Sequence, residues 1–174
     1  RMERAFPGAV YLHLTRHPHS TCDSLYRHYQ DWVANGRVTQ RMEKRGSRLE
    51  QMWFDAHRKL LALSIRIGPD RYARVQGEAI LAEPEVYLPQ IAAWLKIDTG
   101  AQAIEAMKHP EASPFSCVGP SNAQGGNNRG FLEAPALRKY TPKSSSLHEH
   151  LPWVGPNAHF APETVALAHR LGYS

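Results

Sequence analysis

A chain of 174 residues that is 42% hydrophobic can bury a core without disulfide staples and is too apolar to be disordered. Its formal charge of +5 is spread along the chain rather than gathered in one block, which favours anionic partners without choosing among phosphate esters, nucleic acid and acidic lipid. The longest apolar run, around residues 59–67, is broken by Ser64 and Arg66, which excludes a membrane span.

The first residue is Arg1, and residues 1–7 hold no long apolar stretch of the kind a secretory leader has and lead almost at once into a strand-like run. The expectation is that the chain starts within a longer gene product. Residues 9–15, rich in Val, Leu, Tyr and Thr, suit a buried parallel strand bounded by Pro7-Gly8 and by Arg16-His17-Pro18. Ser20, Thr21 and Asp23 are good helix-start residues. Cys22, Leu25, Tyr26, Tyr29 and Val33 follow at helical spacing until Asn35-Gly36.

The clearest helix has Leu49, Met52, Trp53, Ala56, Leu60, Leu63 and Ile67 on one stripe and ends at Gly68-Pro69-Asp70. A short strand is expected at residues 72–76. Pro84 then opens a helix burying Leu88, Ile91, Ala92 and Leu95. Asp98 or Thr99 begins another, with Thr99 and Gln102 placed as a capping box. Residues 109–160 dissolve into Pro, Gly, Ser and Asn, a connection so long that it should be functional or mobile. A last helix over residues 162–171 turns Val165, Ala168 and Leu171 inward. Strands alternating with helices indicate one α/β domain over residues 1–174, with an irregular region at 109–160 and a terminal helical segment at 161–174. Two strands are too few for a complete parallel sheet, so the missing strands are expected before Arg1.

The chemistry concentrates at residues 12–24. An arginine at the carboxyl end of a buried strand projects into the crevice where open α/β sheets bind ligands. The next helix aims its N–H groups and positive dipole end at the same place. Arg16 offers a planar fork for two phosphate oxygens, and Ser24, about one turn into the helix, supplies a hydroxyl. Together they suit a terminal dianionic phosphate. The plainer alternative is that Arg16 pairs with a local carboxylate and Ser24 is an ordinary helix residue.

This run resembles the 3′-phosphate-binding segment of the PAPS-dependent sulfotransferases. There a strand ends in Arg, then Asp/His/Asn-Pro, with a helical Ser eight residues after the Arg; Arg16, Pro18 and Ser24 keep that spacing. Trp53 and His57 resemble the long helix of bacterial members. Residues 72–78 followed by Leu81, Glu83 and Pro84 resemble the family's strand and its turn, and residues 165–173 resemble the ending of bacterial members. The resemblance implies a P-loop-NTPase-like parallel sheet with flanking helices. It also implies transfer of a sulfuryl group from PAPS, leaving PAP, to a hydroxyl or amine on a small-molecule or carrier-bound acceptor, with no metal.

Arg16 and Ser24 would hold the nucleotide, with Gly77, Glu78, Arg129, Gly130 and Trp153 as candidate cofactor or acceptor contacts. The family's phosphosulfate loop has no counterpart before Arg16. That loop and the catalytic base are expected in the missing amino-terminal half, and this chain alone is expected to be inactive. Gly77 stands where the family has an aromatic against adenine. Arg129-Gly130 is a weak counterpart of the Arg-Lys-Gly loop of animal members.

The remaining signals have bland readings. His17-Pro18-His19 and His148-Glu149-His150 lack the spacing of a zinc site. His57 reads as a satisfied helix histidine, and Cys22 as a small apolar core residue. With only Cys22 and Cys117, no disulfide framework is available, so a reducing, cytoplasmic setting is expected. Trp153, among prolines and a glycine, either lines an acceptor site with Phe115, Phe131 and Leu132 or packs its loop. Arg41, Lys44, Arg45 and Arg48 read as a solvated surface. The rival functions are a non-catalytic PAP-binding fragment and a basic nucleic-acid module, the latter resting on charge alone.

Overall fold

The computed structural model describes residues 2–34, 43–114, 131, 134–140 and 146–174. They are mixed α/β, arranged in two compact units: Arg1–Gln76 with Lys143–Ser174, and Gly77–Pro142.

The first unit is built on two parallel strands, β1 (Tyr11–Thr15) and β2 (Tyr72–Gln76), in register from Tyr11 opposite Tyr72 to Thr15 opposite Gln76. Parallel strands need a long crossover. Two helices supply it, α2 (Pro18–Ala34) and α3 (Glu43–Ile67), while a short α1 (Met2–Ala5) precedes β1. Alternation along β1 turns His13 and Thr15 inward and leaves Leu12 and Leu14 exposed, which corrects the expected buried strand to one buried on a single face.

Helix α2 starts two residues earlier than Ser20. Pro18 takes the first helical position, where its fixed φ suits the helix and its missing N–H costs nothing. The expected stop at Asn35-Gly36 lies outside the described residues. The buried line of α3 also differs from the apolar stripe. It steps by four through Leu49, Trp53 and His57, whereas Met52 is 58% exposed and Ala56 also faces outward. An apolar count passes over the histidine that belongs to this line. Gly68, at φ +80°, stops α3, and its N–H reaches the carbonyl of Ser64 at 3.0 Å. A 3₁₀ turn, Pro69–Arg71, leads into β2.

The last helix of the unit, Pro162–Arg170, is labelled α7 because three helices of the second unit precede it in the chain. It buries Thr164, Leu167 and Ala168. The core gathers Cys22, Leu49, Trp53, Leu147, Leu151, Trp153, Phe160, Leu167, Leu171 and Tyr173. Four of these come from the irregular region 109–160, so its final part is packing. Leu151 N–H on the carbonyl of Ala158 closes the turn there at 2.8 Å.

The second unit contains α4 (Gly77–Ala82), α5 (Pro84–Leu95) and α6 (Ala101–Met107), followed by a 3₁₀ turn, Pro110–Ala112. The strand expected at residues 72–76 is found as β2, while the turn that the resemblance implied after it is corrected to a helix. β2 stops at Gln76, and Gly77 opens a helix formed by the helix-compatible run Ala79, Ile80, Leu81 and Ala82. The capping box is also corrected. Gly100 caps α6 without a side chain, because the carboxylate of Asp98 accepts the Gly100 N–H at 2.8 Å and turns the chain itself. Among the described residues no helix is long and apolar enough to cross a membrane.

Candidate phosphate-binding site

Four consecutive residues, Thr15 to Pro18, carry the chain from β1 into α2. Thr15 and Pro18 are fully buried and His17 is nearly so, whereas the side chain of Arg16 between them is exposed. Neighbouring residues at a strand end point to opposite sides, so fixing Thr15 inward sends Arg16 outward. The backbone at Arg16 is tied from α3, where the Trp53 indole N–H donates to its carbonyl at 3.0 Å. A buried indole N–H is stabilised by an acceptor, and this one finds it at the site. Among the described residues no carboxylate pairs with Arg16, which leaves its guanidinium available to an external anion.

The N-terminus of α2 is less open to an anion than its sequence suggests. Pro18 has no N–H, and the N–H of His19 is taken by Nδ1 of His17 at 3.2 Å. Anion binding would therefore rely more on the Arg16 guanidinium than on the helix end. Ser24, expected about one turn into α2, is the seventh helical residue and half-buried, because the helix begins at Pro18. That places it about 9 Å along the axis from Pro18.

Gly77 and Glu78 begin α4 in the second unit, and both are half-buried. Arg129 and Gly130 lie outside the described residues, as do Phe115 and Leu132. Trp153 is 4% exposed within the core of the first unit, with its ring 4.9 Å from that of His19 in the first turn of α2.

Beside the site runs a polar chain. The Tyr72 hydroxyl and His13 Nδ1 are 2.5 Å apart, and His13 Nε2 is 2.7 Å from His57 Nδ1. The rings of His57 and Trp53 meet at 4.5 Å. Burial is the main cause that pushes the His13 pKa down to about 4, helped by charge on His57 and Arg74; burial lowers His57 as well. The two imidazoles are therefore neutral near pH 7, satisfying one another rather than titrating. Cys22, fully buried, has its thiol pushed up to about 12, first by burial and then by Glu50, which keeps it unreactive. Among the described residues no group of three or more His, Cys, Asp or Glu side chains could hold a metal ion.

Thr15, Trp53, Gln76 and Tyr173 shape this corner. Trp53, Gln76 and Tyr173 fall within the stretches that carry the family resemblance, but nothing in their spacing assigns any of the four to this corner.

Residues 1–100 match a family model described as the sulfotransferase family. No curated protein matches the chain. Two solved structures share its fold. One is the sulfotransferase domain from the Synechococcus PCC 7002 olefin synthase, with a TM-score of 0.65 and 23% identity over 97% of this chain and 51% of that one. The other is the sulfotransferase domain from the curacin biosynthetic pathway, with a TM-score of 0.67 and 16% identity over 97% of this chain and 55% of that one. The chain thus spans about half the length of these solved domains.

Proposed function

The chain belongs to the sulfotransferase family, and from that premise we propose that it carries the 3′-phosphate-binding part of an enzyme that transfers a sulfuryl group from PAPS. The observation that carries the reading is Arg16: an exposed guanidinium at the carboxyl end of a parallel strand, held by Trp53 and free of any carboxylate partner among the described residues. Its planar fork matches two oxygens of a terminal phosphate.

In the proposed reaction an acceptor oxygen or nitrogen attacks the sulfur of PAPS. The bond from sulfur to the bridging phosphate oxygen breaks, PAP leaves, and the acceptor's proton passes to a base. Negative charge grows on the bridging oxygen, so fixed cationic and N–H donors lower the barrier. Arg16 and Ser24 do not touch sulfur in this scheme. They anchor the far phosphate and so set in-line geometry, an orientation contribution. The loop gripping the phosphosulfate and the base itself belong to the part of the domain that this chain does not span. The acceptor is a small or carrier-bound hydroxyl or amine compound; the names of the two solved domains, both biosynthetic, support a metabolic intermediate. No metal takes part, and the setting is the cytoplasm.

The test is calorimetric titration with PAP. Arg16→Ala is expected to weaken binding about 10- to 100-fold, the loss of a charge-assisted hydrogen bond of about 1.5–3 kcal/mol. Unchanged affinity would remove Arg16 from the site. The half-length coverage also supports binding without turnover by this chain alone. Radiolabel transfer from PAPS to a mixed acceptor pool by the 174-residue chain would overturn that expectation.

A further inference from the structure

We propose that the tail following α7 is part of the donor site, with Tyr173 and Gln76 acting as positioning residues that hold Arg16 for the 3′-phosphate. The inference rests on the reading of Arg16 given above.

The tail is built to cross the carboxyl ends of both strands. After Leu171, Gly172 adopts φ +89°, a conformation that favours glycine, and the N–H of Tyr173 returns to the carbonyl of Ala168 at 3.0 Å. At the end of β2 the Gln76 amide donates to the carbonyls of Leu171 and Gly172, each at 3.1 Å. A Cβ on residue 172 would stand 3.1 Å from that amide nitrogen, so the approach is tight as well as turned.

At the end of β1 the Tyr173 hydroxyl donates to Thr15 Oγ1 at 2.9 Å, a buried bond, and Thr15 in turn reaches the carbonyl of Val75 at 3.4 Å. The Tyr173 ring also meets His17 edge to face, with centroids 5.4 Å apart. Tyr173 therefore touches the residue before Arg16 and the residue after it, while Trp53 holds the carbonyl of Arg16 itself. With three consecutive residues pinned, the direction in which the Arg16 side chain leaves the backbone is settled before any ligand arrives. Less ordering entropy is then lost when the phosphate binds.

Tyr173→Phe keeps the ring against His17 and removes only the hydroxyl. It is expected to weaken PAP binding roughly 3- to 10-fold, about one hydrogen bond. The affinity for AMP, which lacks the 3′-phosphate, should change less than twofold, so the PAP-to-AMP ratio falls. The Arg16 Nε–H resonance is expected to be broader in the variant than in the parent. Gln76→Met, which removes the amide at the other strand end, is expected to lower the same ratio and serves if Tyr173→Phe does not fold. Equal losses for PAP and AMP would mean a general structural role and overturn the proposal. So would an unchanged PAP affinity in Tyr173→Phe alongside a large loss in Arg16→Ala. If Arg16→Ala itself leaves PAP binding intact, the phosphate reading fails first and the positioning role falls with it.

Discussion

Replacing Trp53 by alanine is expected to destabilise the first unit by about 3–5 kcal/mol, the range for removing a large buried aromatic side chain. Trp53 is 3% exposed and lies in the core cluster of the unit. Its loss opens a cavity in that core and leaves the carbonyl of Arg16 without its donor. Trp53→Phe separates the two effects. It keeps most of the apolar volume and loses the N–H, so a cost of about 1–2 kcal/mol is expected from the abandoned acceptor and the smaller ring. Urea unfolding followed by circular dichroism reads both. A Trp53→Ala midpoint within 1 kcal/mol of the parent, converted through the measured urea slope, would mean that α3 is not held to β1 at this position.

Acid should destabilise the same unit through His13. Its pKa falls from the ordinary 6.5 to about 4 in the folded chain, chiefly because it is buried. Well above pH 6.5 the imidazole is neutral whether the chain is folded or not, and stability is unaffected. Between pH 6.5 and about 4 the unfolded chain accepts a proton that the folded one refuses. Stability therefore drops as the pH falls, by about 3 kcal/mol in total for this group. His57, also lowered by burial, pushes the same way.

Hydrogen bonding gives the local reason. Of the two nitrogens facing each other at 2.7 Å, one must donate and the other accept. Protonating both rings sets N–H against N–H and opens the link between β1 and α3. Unfolding free energies measured at half-unit steps from pH 7.5 to 4.5 should show this slope in the parent and a shallower one in His13→Asn. Parallel slopes would show that His13 does not carry the acid sensitivity.

Much of the fold is legible along the chain because it depends on near neighbours. The strand at residues 72–76 and the helix opened by Pro84 lie where β2 and α5 are found. The terminal helix starts at Pro162 as expected and differs only in leaving Leu171 as its cap. The parallel pairing follows from the length of the helical crossover between the strands. The errors arise where local preference is weak or where a polar residue faces inward. Met52 matches the apolar stripe and yet is exposed, while His57 occupies the buried line because His13 is there to satisfy it. Gly77 starts a helix in the second unit although it follows directly on a strand.

At the candidate site the division is sharper. That a guanidinium stands at the end of a strand and just before a helix is written in residues 11–18 alone, because strand alternation and the helix-starting proline act over a few residues. What holds it there is not. The bond between Thr15 and Tyr173 joins positions 158 apart, and the one between His13 and His57 joins positions 44 apart. Such partners share no periodicity or spacing, and only the packing of α3 and α7 on β1 brings them within hydrogen-bonding reach. Local sequence thus determined which groups the strand end would present. Tertiary structure decided which distant hydroxyls, amides and rings would fix their direction, because those contacts form only once apolar burial has drawn remote parts of the chain together.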